Sequence, residues 1–165
     1  MRLLSIDAST KATGYAIFDN EKLKYHGYIT KTGTVYNRIE EMKEEIAQLV
    51  QEYEADEIVM EDVIPEEVSH NQAVYKALMY LQGAVVLKLD KMGRSVNFMV
   101  SSEWRKLCGI RTGRGVRRGT LKAADIKFVK ETYGIDSNDD ECDAIGIGHA
   151  WIRKKNQVID EGVNW

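Results

Sequence analysis

The sequence predicts an α/β protein, with a five-stranded mixed sheet flanked by helices in one domain spanning residues 1–165. Three observations predict it. Three strand-like segments joined by short polar turns open the chain. From Val35 the apolar spacing changes to steps of three and four. A short β-branched run, Glu57-Ile58-Val59-Met60-Glu61, then follows the helix. A crossover through that helix makes this run a parallel neighbour of the first strand.

The first strand is Arg2-Leu3-Leu4-Ser5-Ile6-Asp7. A continuous apolar run suits a strand buried on both faces. Asp7 closes it, where access to water is poor and an ion is costly unless paired or metal-bound. Taken alone, Asp7 reads equally well as a turn cap helped by Ser9 and Thr10. Thr13 to Asp19 forms the second strand and Lys22 to Thr30 the third. In the third, Leu23, Tyr25, Gly27 and Ile29 take one side, and Lys22, Lys24, His26 and Tyr28 the other.

From Val35 to Tyr53, Val35, Ile39, Met42, Ile46, Leu49, Val50 and Tyr53 make the apolar stripe of a surface helix; its acidic face is solvated. The fourth strand ends on Glu61, which alone is an ordinary strand-end acid. Beside Asp7 at one sheet edge it is more: crowded carboxylates raise each other's pKa unless a cation lies between them.

Ser69-His70-Asn71-Gln72 fits a capping box with Ser69 as N-cap. The helix runs on to about Met92 with Val74, Ala77, Leu78, Leu81, Val85 and Leu89 in one stripe, and Tyr75, Met79 and Val86 in a second. Two apolar faces suggest a central helix or a subunit interface. Ser95 to Val100 is the fifth strand, and Ser101 opens a short helix stopping near Gly109.

Composition sets bounds on function. The chain is 44% hydrophobic and 30% charged, with net charge −3, ordinary for a soluble globular protein. No stretch resembles an export signal or a bilayer span, so a cytoplasmic protein with reduced Cys108 and Cys142 is expected, and no membrane partner. The average hides an asymmetry. Arg105, Lys106, Arg111, Arg114, Arg117, Arg118 and Lys122 fall in one segment with no acid among them, interleaved with glycines. Arginine forks match phosphate oxygens, so this loop reads as a contact for nucleic-acid backbone rather than a merely solvated one.

Thr120 caps a helix running through Tyr133, with Ala123, Ile126, Val129 and Tyr133 inward and Gly134 as its stop. The last helix starts acidic and turns basic at Arg153-Lys154-Lys155, which suits its dipole. Asp140 and Asp143 share a face three residues apart. Ala144, Gly146, Gly148 and Ala150 are small enough for close packing on the sheet, which would carry Asp143 to the strand ends. His149 lies off that face and reads as structural.

These parts in this order resemble the RuvC family of Holliday junction resolvases, in the ribonuclease H-like superfamily. The motifs are Ile6-Asp7-Ala8-Ser9-Thr10 with Gly14-Tyr15-Ala16, then Glu61, Gly83, Lys122 and Asp140-Glu141-Cys142-Asp143-Ala144-Ile145. The resemblance spans Arg2 to about Ile152, and the small size is similar to the phage-encoded branch.

It implies a metal-dependent endonuclease that cuts four-way DNA junctions. Asp7, Glu61, Asp140 and Asp143 match the four acidic ligands for two Mg²⁺ or Mn²⁺ ions, which activate water and stabilise the leaving 3′-oxygen. Lys122 matches a basic residue near the scissile phosphate, and branched DNA and a second copy of the chain are the implied partners. The second stripe of the Ser69–Met92 helix is the expected dimer face. One departure stands out. Where cellular relatives carry a phenylalanine that stacks on junction bases, this chain has Ile64.

Three other readings compete with this one. Asp7-Ala8-Ser9-Thr10-Lys11 with Gly14 also resembles the first phosphate turn of sugar kinases and actin, but those need two such domains and a second phosphate loop. A structured-RNA nuclease of the same superfamily would differ in substrate. A junction-binding protein with a dead site would not retain all four acids.

Overall fold

The computed structural model describes residues 1–65, 71–113 and 115–160. The strands are β1 (Arg2–Asp7), β2 (Ala12–Asp19), β3 (Lys22–Thr30), β4 (Glu57–Glu61) and β5 (Asn97–Met99). The helices are α1 (Val35–Glu52), α2 (Gln72–Lys91), α3 (Ser101–Leu107), α4 (Arg118–Tyr133) and α5 (Asp139–Asp160). The sheet runs β3-β2-β1-β4-β5, antiparallel through the meander and parallel between β1, β4 and β5. This is the mixed sheet that the opening strands and the α1 crossover predict.

Strand alternation sorts the core into two layers. Leu4, Ile6, Ile58 and Met60 pack under α1 and α2 with Met42, Ile46, Leu81, Val85 and Leu89. Leu3, Val59 and Phe18 pack on the other side with Trp104 of α3, Val129 of α4, and Cys142, Ala144, Ile145 and Ile147 of α5. Two glycines let α5 lie close on the sheet. A Cβ at Gly148 would stand 2.6 Å from Ser5 Oγ, and one at Gly146 2.7 Å from Trp104 Cζ3. The buried Ser5 hydroxyl donates to the Ala144 carbonyl at 2.7 Å, tying β1 to α5.

Several details differ from the sequence-based expectation. The β2–β3 register slips at Ile17/Phe18, pairing Ile17 with Tyr25 but Phe18 with Leu23. That bulge switches the pleat. Leu23 therefore joins the α5 layer and Ile29 the α1 layer, rather than sharing one side.

The N-cap of α2 is Asn71, whose Oδ1 accepts from Ala73 N (3.1 Å) and Val74 N (3.4 Å). Ser69 and His70 of the expected capping box lie outside the described residues. Helix α4 starts two residues before Thr120, at Arg118, without a side-chain cap; Ala123 is exposed. The fifth strand shortens to Asn97–Met99 because it pairs only with the last residues of β4, and Val100 already serves as the N-cap of α3. No described helix is long and apolar enough to cross a membrane.

Candidate active site

In the parallel register Leu4 pairs with Ile58 and Ile6 with Met60. One residue further on, Asp7 and Glu61 end neighbouring strands side by side. Both share parity with Leu3, Ser5 and Val59, so both point into the α5 layer. Helix α5 begins there. Gly14 stands opposite Asp7 across the β1–β2 ladder, and its missing side chain admits the Asp140 peptide. A Cβ at Gly14 would overlap the Asp140 carbonyl and stand 3.0 Å from Glu141 N. The start of α5 is thereby seated against the end of β1.

The four acids feel one another. Asp7 is held well above the ordinary carboxylate range, first by burial, then by Glu61 and Asp140; Arg105 and Lys122 pull it back. Asp143 is raised in the same sense, by burial, then by Asp7 and Asp125, with Arg105 opposing. Desolvation leads in both, because a charge withdrawn from water loses more than its neighbours impose.

Two of the acids also have a fixed setting. Glu61 Oε2 accepts a hydrogen bond from Trp104 Nε1 at 2.8 Å. Asp143 Oδ2 lies 3.8 Å from Arg105 Nη2, while its buried Oδ1 finds no hydrogen-bond partner among the described residues. Between them, Glu141 faces away from the acids. It pairs with His26 on β3 and accepts from Ser137 Oγ (2.6 Å) and Asn138 Nδ2 (3.2 Å), anchoring the first turn of α5.

An orphaned buried carboxylate oxygen, in an all-oxygen donor set crowded with like charge, fits a hard divalent cation. Among the described residues, no three His, Cys, Asp or Glu side chains already close on one point as a metal-ligand set. The acids converge within electrostatic reach, and Glu61 and Asp143 are each steadied by a neighbour on α3.

The basic residues divide. Lys122 stands at the site: it pairs with Asp139 and its charge reaches Asp7. Lys106, Arg111, Arg117 and Arg118 are exposed on and beside the α3–α4 loop, as a phosphate contact requires. Arg114 lies outside the described residues. Arg105 does not belong with them. It is only 9% exposed, and its Nε and Nη2 grip both oxygens of buried Asp125 at 2.9–3.1 Å. The guanidinium cannot reach an external phosphate, so the expectation that Arg105 contacts DNA is corrected to an internal counter-ion. His149 is structural, as expected: its Nδ1 meets the Tyr133 hydroxyl at 2.8 Å, and Phe128 packs edge-on.

Sequence reasoning passed over Trp104, Asp125 and the Glu141 anchor. Trp104 alone left a usable hint: a buried indole N–H needs an acceptor, and the site supplies one.

The fold and the acidic centre together define a class, the ribonuclease H-like nucleases. Within it the chain belongs to the RuvC family, the crossover junction endodeoxyribonucleases, whose model matches residues 3–147. Among solved structures, RuvC of Thermus thermophilus bound to a Holliday junction superposes with a TM-score of 0.76 at 11% identity, over 95% of this chain and 96% of that one. The yeast mitochondrial Holliday junction resolvase gives 0.61 at 12% identity, over 96% and 80%. Fowlpox virus resolvase with its junction DNA gives 0.55 at 16% identity, over 94% and 99%. At these identities the likeness is one of fold. No curated protein matches the chain significantly.

Proposed function

We propose that this chain is a divalent-metal-dependent endonuclease that resolves four-way DNA junctions, working as a homodimer with one acidic centre per subunit. The observation that carries this reading is the convergence of Asp7, Glu61, Asp140 and Asp143 in a chain of the RuvC family. Mg²⁺ or Mn²⁺ bound by these carboxylates would supply an activated water and charge for the leaving 3′-oxygen.

The chain's own groups do the rest. Burial and mutual repulsion raise the energy of the ionised acids; a bound divalent cation would relieve that cost, displacing protons as it binds. Lys122, next to Asp139, offers a positive charge to the scissile phosphate. Arg111, Arg114, Arg117 and Arg118 grip the flanking backbone. Ile64 leaves the junction centre without an aromatic ring to stack, so recognition rests on branch shape rather than base identity.

The dimer reading rests on α2. Met79, Tyr80 and Leu87 are exposed around Gly83, which has open space above it. This face differs in part from the Tyr75, Met79 and Val86 stripe, because Tyr75 and Val86 are half-buried. The deciding experiment offers labelled four-way, three-way, fork and duplex DNA, and a structured RNA, with Mg²⁺ and with chelator. Metal-dependent paired nicks in the four-way junction support the proposal. Equal cutting of RNA favours the RNA-nuclease reading.

A further inference from the structure

Trp104 is fully buried, yet its indole reaches the acidic centre: Nε1 donates to Glu61 Oε2 at 2.8 Å. Its ring is held from two sides. Gly146 of α5 has no side chain where the indole lies, and the Arg105 guanidinium sits 4.3 Å from the ring centroid. Arg105 cannot drift, because Asp125 of α4 holds it by three hydrogen bonds. Its Nη2 in turn lies 3.8 Å from Asp143 Oδ2. Consecutive residues of α3 thus address two different site acids: Trp104 the one on β4, Arg105 the one on α5.

We propose that Trp104 is a positioning residue for the nuclease reaction, its locked indole N–H fixing the Glu61 carboxylate for a divalent cation, with the Arg105–Asp125 pair as the clamp that locks it. This rests on the nuclease reading above. The chemistry favours an indole. It donates and does not accept, so it orients a carboxylate without competing for the cation. It carries no charge, so unlike a lysine it leaves the anionic character of Glu61 for the metal. Groups that orient metal ligands from behind govern affinity and rate together.

The test uses the full chain and Mn²⁺ alone in calorimetry, alongside single-turnover cleavage of a four-way junction. Trp104→Phe keeps an aromatic ring and removes the donor. Mn²⁺ affinity and cleavage rate should each fall about tenfold or more, as when metal ligands lose the groups that orient them. Junction affinity without divalent metal should stay unchanged. In a Glu61→Gln background the same change should cost no further Mn²⁺ affinity, since the residue acts through Glu61.

Should Trp104→Phe fail to fold, the wild-type indole ¹H–¹⁵N signal of Trp104 decides: it should shift on Mg²⁺ addition, and that shift should vanish in Glu61→Gln. Wild-type Mn²⁺ affinity and rate in Trp104→Phe, or an indole signal indifferent to Mg²⁺, overturns the proposal while the nuclease reading stands. A wild-type chain that neither binds Mn²⁺ nor cuts junctions refutes both.

Discussion

Gly14→Ala should disable cleavage while sparing the fold. The backbone at this position is not in the left-handed region, so alanine brings no torsional strain; its effect is steric. The new methyl would overlap the Asp140 carbonyl and stand 3.0 Å from Glu141 N. Comfortable carbon contacts lie at about 3.5–4.0 Å, so the first turn of α5 must retreat by about 1 Å or more.

Overpacking of this kind costs about 1–3 kcal/mol of stability. The retreat carries Asp140 away from Asp7, and misplacing a catalytic group by about 1 Å can cost about 100-fold in rate. Single-turnover cleavage of a four-way junction measures the rate, and urea unfolding measures the stability. Gly27→Ala is the control. There the methyl meets the outer end of the Tyr15 side chain, with its hydroxyl at 2.7 Å, and that ring can turn aside. A folded Gly14→Ala protein that cuts within about twofold of wild type would refute the idea that this seat sets the site's geometry.

Other expectations follow from the same structure. Asp7→Asn should abolish cleavage and leave four-way junction binding largely intact, measured by gel shift and cleavage on one substrate. Replacing Arg114, Arg117 and Arg118 with alanine should flatten the slope of log affinity against log salt by about 0.9 for every phosphate the loop no longer neutralises; an unchanged slope would remove the loop from the interface.

Burial raises Asp143 from 3.8 to about 9, so the folded chain holds this proton more tightly than the unfolded one. Its contribution to stability is therefore lost as pH rises from about 4 to about 9. Asp143→Asn should raise the melting temperature in chelator at pH 8 and not at pH 4, by calorimetry. Leu87→Glu on the open face of α2 should convert a dimer to monomer in sedimentation velocity, with the sheet's circular dichroism preserved.

Much of the site was legible in one dimension because strands count in twos. Asp7 and Glu61 each follow a buried run, and alternation alone puts them on the layer shared with Leu3 and Val59. Asp140 and Asp143 were legible from their helical spacing and the small residues after them. Arg105 was misread because it opens a run of bases, and a run says nothing of burial. Its partner Asp125 is twenty residues on, in a helix whose weak apolar patterning gives no sign that an acid faces inward. The Trp104–Glu61 bond was hidden for the same reason: it joins elements 43 positions apart through packing that only the assembled layers create. The bulge in β3 left no mark, since Lys24 is a plausible outward residue in either register.

The register of β1 against β4 has a consequence for how such a chain can diverge. The apolar side chains along the two strands can be exchanged for others of similar bulk, which is consistent with a shared architecture at 11% identity. An insertion or deletion of a single codon within either strand cannot be absorbed so easily. It would rotate the terminal acid into the opposite layer, the one with Met42 and Leu81, and put its neighbour's side chain in its place. Lineages of this nuclease should therefore differ in loop length and spelling, while the lengths of these two short ribbons stay constant.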